Sequence, residues 1–170
     1  MKVTTLKPMR LEDVLFSQGF GTRRVCAGLI QQGHVSVDGA VQTDAGEFYA
    51  PEGLQFSVQG TPWAFHEKAY VLLNKPAGTE CSQKPSTWPS IYTLLPAPLR
   101  QRPQKGAVDG VQAVGRLDQD TTGLLLLSDD GQFIHRMASP RHHVPKVYQV
   151  HTVDEVSAVQ IDKLLAGVVL

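Results

Sequence analysis

The chain has 170 residues, 42% of them hydrophobic and 19% charged, with 16 basic and 16 acidic side chains and no net charge. That balance describes a soluble globular protein of one domain, or of one small domain with part of a larger one, and excludes a disordered or fibrous chain. The apolar runs fall short of a membrane span, the start MKVTTLKPMR has no apolar signal core, and Cys26 and Cys81 lack metal or redox spacing, so a cytoplasmic location without a membrane partner is expected.

Taken in chain order, Leu11, Val14 and Leu15 have helical spacing, and Gly19 to Gly21 ends that helix. Thr22 is a good cap for a second helix over Arg23 to Gln32, with Val25, Leu29 and Ile30 on its buried side and Gly33 as its stop. HVSVDGAVQ alternates polar and apolar residues around Asp38-Gly39, a hairpin signal. Residues 9–60 therefore form a small domain, and 61–68, opening with Thr61-Pro62, read as a linker.

From Ala69 the texture changes. AYVLLNKP reads as a buried strand stopped by Pro76, followed by a Pro-rich stretch to 107 with one short helix near Ile91 to Leu95. VQAV (111–114) and GLLLLS (123–128) read as strands, and Asp129-Asp130-Gly131 leads into a helix near Gln132 to Met137. VYQVHTV (147–153) has strand character, and Glu155 to Ala166 reads as an amphipathic helix. No βαβ rhythm and no repeat is present, so the expected class is α+β, with residues 69–170 as a second, larger domain.

Charge is unevenly distributed. Lys2, Lys7, Arg10, Arg23 and Arg24 outnumber the acids of the first 30 residues, whereas residues 31–60 carry Asp38, Asp44, Glu47 and Glu52 and no Lys or Arg. Residues 81–108 hold Lys84, Arg100, Arg102 and Lys105 without an acid, and 131–150 hold Arg136, Arg141 and Lys146 without an acid, beside His135, His142 and His143. Such segments are either solvated faces or the footprint of a polyanion.

Between the two strands lies GRLDQDTTG. Arg116 and Asp118 there suit an ordinary ion pair at a strand end. Asp118, Asp120, Thr122, Gly123 and Asp129 also fall at calcium-loop spacing, but with a strand where a helix should precede and a leucine run where oxygen ligands should follow. A third reading is catalytic: a carboxylate at the mouth of an apolar cleft beside a guanidinium stays ionised yet poorly hydrated, as a carboxylate nucleophile must. No hydrolytic triad or metal spacing competes with it.

The run Gly115-Arg116-Leu117-Asp118, Asp120-Thr121-Thr122-Gly123 and Asp129-Asp130-Gly131 resembles the active-site signature of the RsuA/RluB-type pseudouridine synthases. YVLLNKPAG (70–78) is similar to that family's first catalytic strand and SPRHHVPKVY (139–148) to its basic loop and Lys-x-Tyr motif. Arg10-Leu11-Glu12, Thr22-Arg23-Arg24 and Gly33 to Gly39 resemble the small RNA-binding domain shared with ribosomal small-subunit protein four. The resemblance implies a mixed or antiparallel catalytic sheet after an RNA-binding domain, and isomerisation of a uridine in ribosomal RNA without cofactor or metal. Asp118 would be catalytic on a flipped-out base, Tyr148 would stack on that base, and Arg116 would hold the loop or fill the vacated space. Arg136, Arg141 and Lys146 would meet phosphates, with Arg10, Arg23 and Arg24 serving the N-terminal domain.

The Asp118-to-Thr122 turn and SPRHHVPK lie nearest the members acting on small-subunit 16S RNA, so the expected partner is ribosomal RNA or the assembling small subunit, met by a monomer when full length. Action on large-subunit RNA and a catalytically silent RNA-binding protein are the alternatives. In the resembling family a later motif supplies an arginine that pairs with the catalytic Asp. Nothing after Leu170 matches it, so the chain is expected to be an inactive fragment that self-associates through uncovered strands.

Overall fold

The computed structural model describes residues 6–106, 108–142 and 144–168; Lys2 and His143, counted among the charges above, lie outside the described residues. Helices α1 (Leu11–Ser17) and α2 (Arg23–Gln31) form where apolar spacing places them. The Thr22 hydroxyl accepts from the Val25 amide at 3.3 Å, satisfying one of the free amides at the start of α2. Val25 itself is 51% exposed, and Cys26 stands with Ile30 on the buried side instead. Cys26 and Ile30 are four residues apart and stack on one face, from which Val25 is turned by about 100°. Enclosure pushes the Cys26 thiol up to about 11.

A short pair of β1 (Met9–Arg10) and β4 (Phe48–Tyr49) flanks a four-stranded antiparallel sheet of order β3-β2-β5-β6, built from β2 (Val35–Val37), β3 (Ala40–Gln42), β5 (Gln55–Val58) and β6 (Thr61–Ala64). Asp38 and Gly39 both take positive φ, 49° and 81°, the twist a two-residue hairpin needs. Gln59 and Gly60 repeat the device at 50° and 79° and turn β5 into β6. Residues 61–64, read from sequence as linker because of Pro62, are thus a strand. Proline is compatible there because β6 is the edge of its sheet. Leu11, Val14, Leu15, Ile30, Val35 and Phe56 close the first core.

The second core lies under a three-stranded antiparallel sheet, order β7-β9-β8, of β7 (Tyr70–Lys75), β8 (Gln112–Ala113) and β9 (Gly123–Ser128). Leu73 faces Leu125 and Lys75 faces Gly123. Leu125 and Leu127 are buried with Ile91, Tyr92, Leu95 and Val111, whereas Leu124 is 69% and Leu72 70% exposed. The four-leucine run is therefore not uniformly internal: the pleat sends alternate residues to opposite faces, and only one face is covered. The helix foreseen at 91–95 is a 3₁₀ turn over Ile91–Leu94, followed by the short α3 (Ala97–Arg100).

The paired acids after β9 divide their tasks. Asp130 caps α4 (Gly131–Ala138), accepting from the Gln132 and Phe133 amides at 3.0 and 3.1 Å and from the Tyr70 hydroxyl at 2.7 Å. That hydroxyl bond holds the Asp130 carboxyl below its ordinary range and the Tyr70 phenol above its own. Asp129 is buried and meets Arg102 at 2.5 Å.

Residues 147–153 do not form the expected strand. Val147, Tyr148, Val150 and Val153 are exposed, and no strand among the described residues pairs with them. Alternation alone cannot supply ladder hydrogen bonds, which require a neighbouring backbone. Helix α5 (Ala158–Leu165) starts later than Glu155 because Ser157 and Gln160 form a reciprocal cap. Its Leu164 and Leu165 are exposed.

Candidate active site

Residues 114–122 connect β8 to β9 as a largely exposed loop, with Gly115 near its start and Gly123 at the first position of β9, at φ 83° and 111°. Leu117 points toward the second core, so the next residue, Asp118, is turned outward into solvent. The Asp118 carbonyl accepts from the Thr121 amide at 3.2 Å, closing a turn, and the Gln119 carbonyl accepts from the Gly78 amide at 2.8 Å. The loop lies between two strands rather than two helices, which removes the context a calcium hand requires.

The turn is held from beneath by a residue that the sequence reading passed over. Lys75, at the end of β7, is 1% exposed. Its Nζ donates to the carbonyl oxygens of Thr121 at 2.8 Å, Pro76 at 3.2 Å and Gln119 at 3.3 Å. All three ammonium protons are therefore used on backbone oxygens, which is what makes the burial of this charge tolerable. A lysine ending an apolar strand just before Pro76 was the available signal.

Asp118, Arg116, Leu117 and Gln119 share a shallow cleft with Glu80, Cys81 and Ser82. Glu80 accepts from the amides of Ser86, Thr87 and Trp88 at 3.1, 2.9 and 2.8 Å, and these bonds, the Trp88 amide foremost, pull its carboxyl down to about 2. These bonds close residues 80–88 on themselves beside the Asp118 turn.

Two expectations for the turn require correction. Arg116 and Asp118 do not form an ion pair, and Asp118 is exposed rather than lodged in an apolar cleft. Adjacent outward positions separated by the inward Leu117 splay these side chains into water, where an ion pair gains little. Nor does the structure bring Tyr148 to Asp118: it is 78% exposed and does not line the cleft.

The basic residues fall into two groups. Arg10 is tied to Glu12 at 3.0 Å and Asp13 at 3.1 Å, and Arg23 is tied to Asp13 at 3.0 Å with its guanidinium 4.0 Å from the Phe16 ring centre. Arg24, Arg116, Arg136, Arg141 and Lys146 are exposed and make no ion pair among the described residues. The edge-on rings of His135 and His142, 5.3 Å apart, link α4 to the 3₁₀ turn that carries Arg141. No group of three or more metal-ligating side chains occurs among the described residues, and no helix among them is long and apolar enough to cross a membrane.

Comparison with known proteins adds an independent finding. The family model for RNA pseudouridylate synthase matches residues 69–167, and that for the S4 domain matches residues 9–52. An uncharacterized RNA pseudouridine synthase of Bacillus subtilis is 36% identical over 161 residues, 94% of this chain and 64% of its own length. The ribosomal small subunit pseudouridine synthase A of Vibrio parahaemolyticus is 36% identical over 162 residues, and that of Escherichia coli 37% over 164, each covering 95% of this chain. The chain spans 66% and 67% of the length of those two relatives. A crystal structure of a pseudouridylate synthase is 32% identical, with a TM-score of 0.37, and covers 79% of this chain and 54% of its own.

Proposed function

This chain belongs to the RNA pseudouridylate synthase family, and we propose on that premise that it converts a uridine of ribosomal RNA, in the small-subunit 16S molecule, to pseudouridine. The observation that carries the reading is the Asp118 turn, pinned from below by Lys75 and presenting the Asp118 carboxylate to solvent at the mouth of a shallow cleft. Kinship with two relatives named as small-subunit synthases supports the choice of RNA.

In the proposed reaction the bond from N1 to the ribose C1′ breaks, the base turns, and a bond from C5 to C1′ forms. C5 loses its proton and N1 gains one, so product and substrate are isomers and no cofactor is consumed. The base must leave its stack to reach an exposed turn of this kind. Asp118 acts on the glycosidic bond, Arg116 occupies the neighbouring loop position, and Arg24, Arg136, Arg141 and Lys146 provide cations for phosphates.

Release of tritium from C5-labelled uridine in 16S RNA tests the reading, with Asp118→Asn as the control. That exchange is expected to lower turnover by on the order of 10⁴-fold while leaving the melting temperature unchanged, because an exposed amide costs the fold nothing. Turnover by the variant within tenfold of wild type would sink the assignment. A second reading, RNA binding without turnover, is favoured by one observation: Asp118 has no cationic partner among the described residues. Retained RNA affinity with no tritium release from the wild type would select it.

A further inference from the structure

Arg102 is 4% exposed, and its guanidinium donates in four directions. Nε meets Asp129 at 2.5 Å, Nη1 meets the Gln18 side-chain oxygen at 2.8 Å, and Nη2 meets the carbonyls of His66 at 2.7 Å and Glu67 at 3.2 Å. Gln18 also exchanges two bonds with the His66 backbone, each at 3.1 Å. Asp129, in turn, accepts from the Ala69 amide at 2.7 Å. One buried cation therefore joins the end of α1, the connecting segment and the residue that follows β9. At the same seam a side chain on Gly19 would place its first carbon 2.1 Å from the Pro98 carbonyl, so the backbones approach as closely as glycine allows.

Two units joined by a short segment are by default free to reorient. A planar five-donor cation with a carboxylate, an amide and two carbonyls in fixed directions opposes that freedom, because any rotation leaves buried groups unpaired. One of the units so joined carries the exposed Arg24 and the other carries the exposed Asp118 turn. We propose that Arg102 is a positioning residue that sets the orientation of the N-terminal unit relative to the Asp118 turn, so that the protein selects RNA able to engage both surfaces at once. This rests on the RNA-directed reading above. The physical basis is effective concentration: a second contact adds affinity only when geometry permits both together, and a fixed orientation rewards one spacing at the expense of others.

The substitution Gln18→Ala severs the arm to the N-terminal unit and leaves the Arg102–Asp129 pair intact, and Arg102→Lys keeps the charge without the fork. The first readout needs no RNA. Trypsin cleavage after the exposed Lys68 under native conditions is expected to accelerate about tenfold or more in both variants, with near-ultraviolet dichroism of each unit retained. The second readout is affinity for two probes: a 16S fragment with duplex and loop long enough to span both surfaces, and a single-stranded heptanucleotide containing uridine. The variants are expected to lose about tenfold in affinity for the long probe and nothing for the short one. A simply destabilised protein would lose both in proportion, and that result, or unchanged affinity for the long probe, overturns the proposal. Unchanged cleavage in both variants likewise overturns it. If wild-type protein binds neither probe, the RNA-directed reading fails and selection by this lock fails with it, while faster cleavage would still establish the lock as a mechanical feature.

Discussion

The Nζ of Lys75 lies 2.8 Å from the carbonyl oxygen of Thr121, three residues past Asp118. A charge that is 1% exposed at the foot of the Asp118 turn faces two opposed effects. Removing it from water costs several kcal/mol, while its hydrogen bonds return roughly 1.5–3 kcal/mol each. The two nearly cancel, so the lysine contributes geometry more than stability.

The substitution Lys75→Met is accordingly expected to shift the unfolding free energy by only about 1–3 kcal/mol. Its effect on tritium release should be larger, roughly 10²-fold, because the loop carrying Asp118 loses its anchor and a displacement near 1 Å suffices for such a loss. Melting curves beside single-turnover rates separate the two. A rate within threefold of wild type would show that the turn holds its shape unaided.

Glu80 gives a pH-dependent signature. Its carboxyl lies at about 2 against an ordinary 4.5, held there chiefly by the amides of Trp88, Thr87 and Ser86. Since the folded value is the lower one, the stabilisation of the 80–90 segment is complete above about 4.5 and is lost as the pH falls through about 2. In a Trp63→Phe background, Trp88 emission is expected to stay constant from neutral pH to about 4.5 and to shift only near 2. The substitution Glu80→Gln should show the shifted emission already at neutral pH. A wild-type midpoint near 4.5 would mean that the amide clamp does not form in solution.

How much of this could be read from the sequence depended on the range of the forces involved. The Asp38-Gly39 hairpin and the Asp118 turn were legible because glycine and short polar side chains encode local dihedral angles. The Gln59-Gly60 hairpin uses the same code, but Pro62 disguised it; only the position of β6 at a sheet edge makes that proline acceptable. Lys75 and Arg102 were invisible as anchors because their acceptors are up to 46 and 84 residues away in the chain. The strand character of 147–153 was legible and still unrealised, since a strand is a relation between two segments rather than a property of one.

The division among the arginines bears on RNA affinity. Arg23 is already engaged by Asp13 and Phe16, whereas Arg24 makes no ion pair among the described residues. A phosphate must compete for Arg23 but not for Arg24. Arg24→Ala is therefore expected to lower the log–log salt slope of RNA binding by about 0.7–0.9, and Arg23→Ala by less. Equal slopes for Arg24→Ala and wild type would place the N-terminal contact on other residues.

Tyr148 poses the sharpest contrast with the sequence expectation, because its ring is 78% exposed and has no place in either core. A side chain with so little contact adds almost nothing to folding. Tyr92 is the internal reference: it is 7% exposed, and its hydroxyl accepts from the Ala113 amide at 3.0 Å. Tyr92→Ala is expected to cost roughly 3–5 kcal/mol of stability, as large-to-small core changes do. Tyr148→Ala should leave the melting temperature unaltered. If Tyr148 stacks on a base once RNA is bound, that same variant loses roughly 1–3 kcal/mol of binding to the flipped nucleotide, seen as a fall of about 5- to 150-fold in kcat/KM. Unchanged melting with unchanged kcat/KM would remove Tyr148 from the site, and a melting loss comparable to that of Tyr92→Ala would place it in a core.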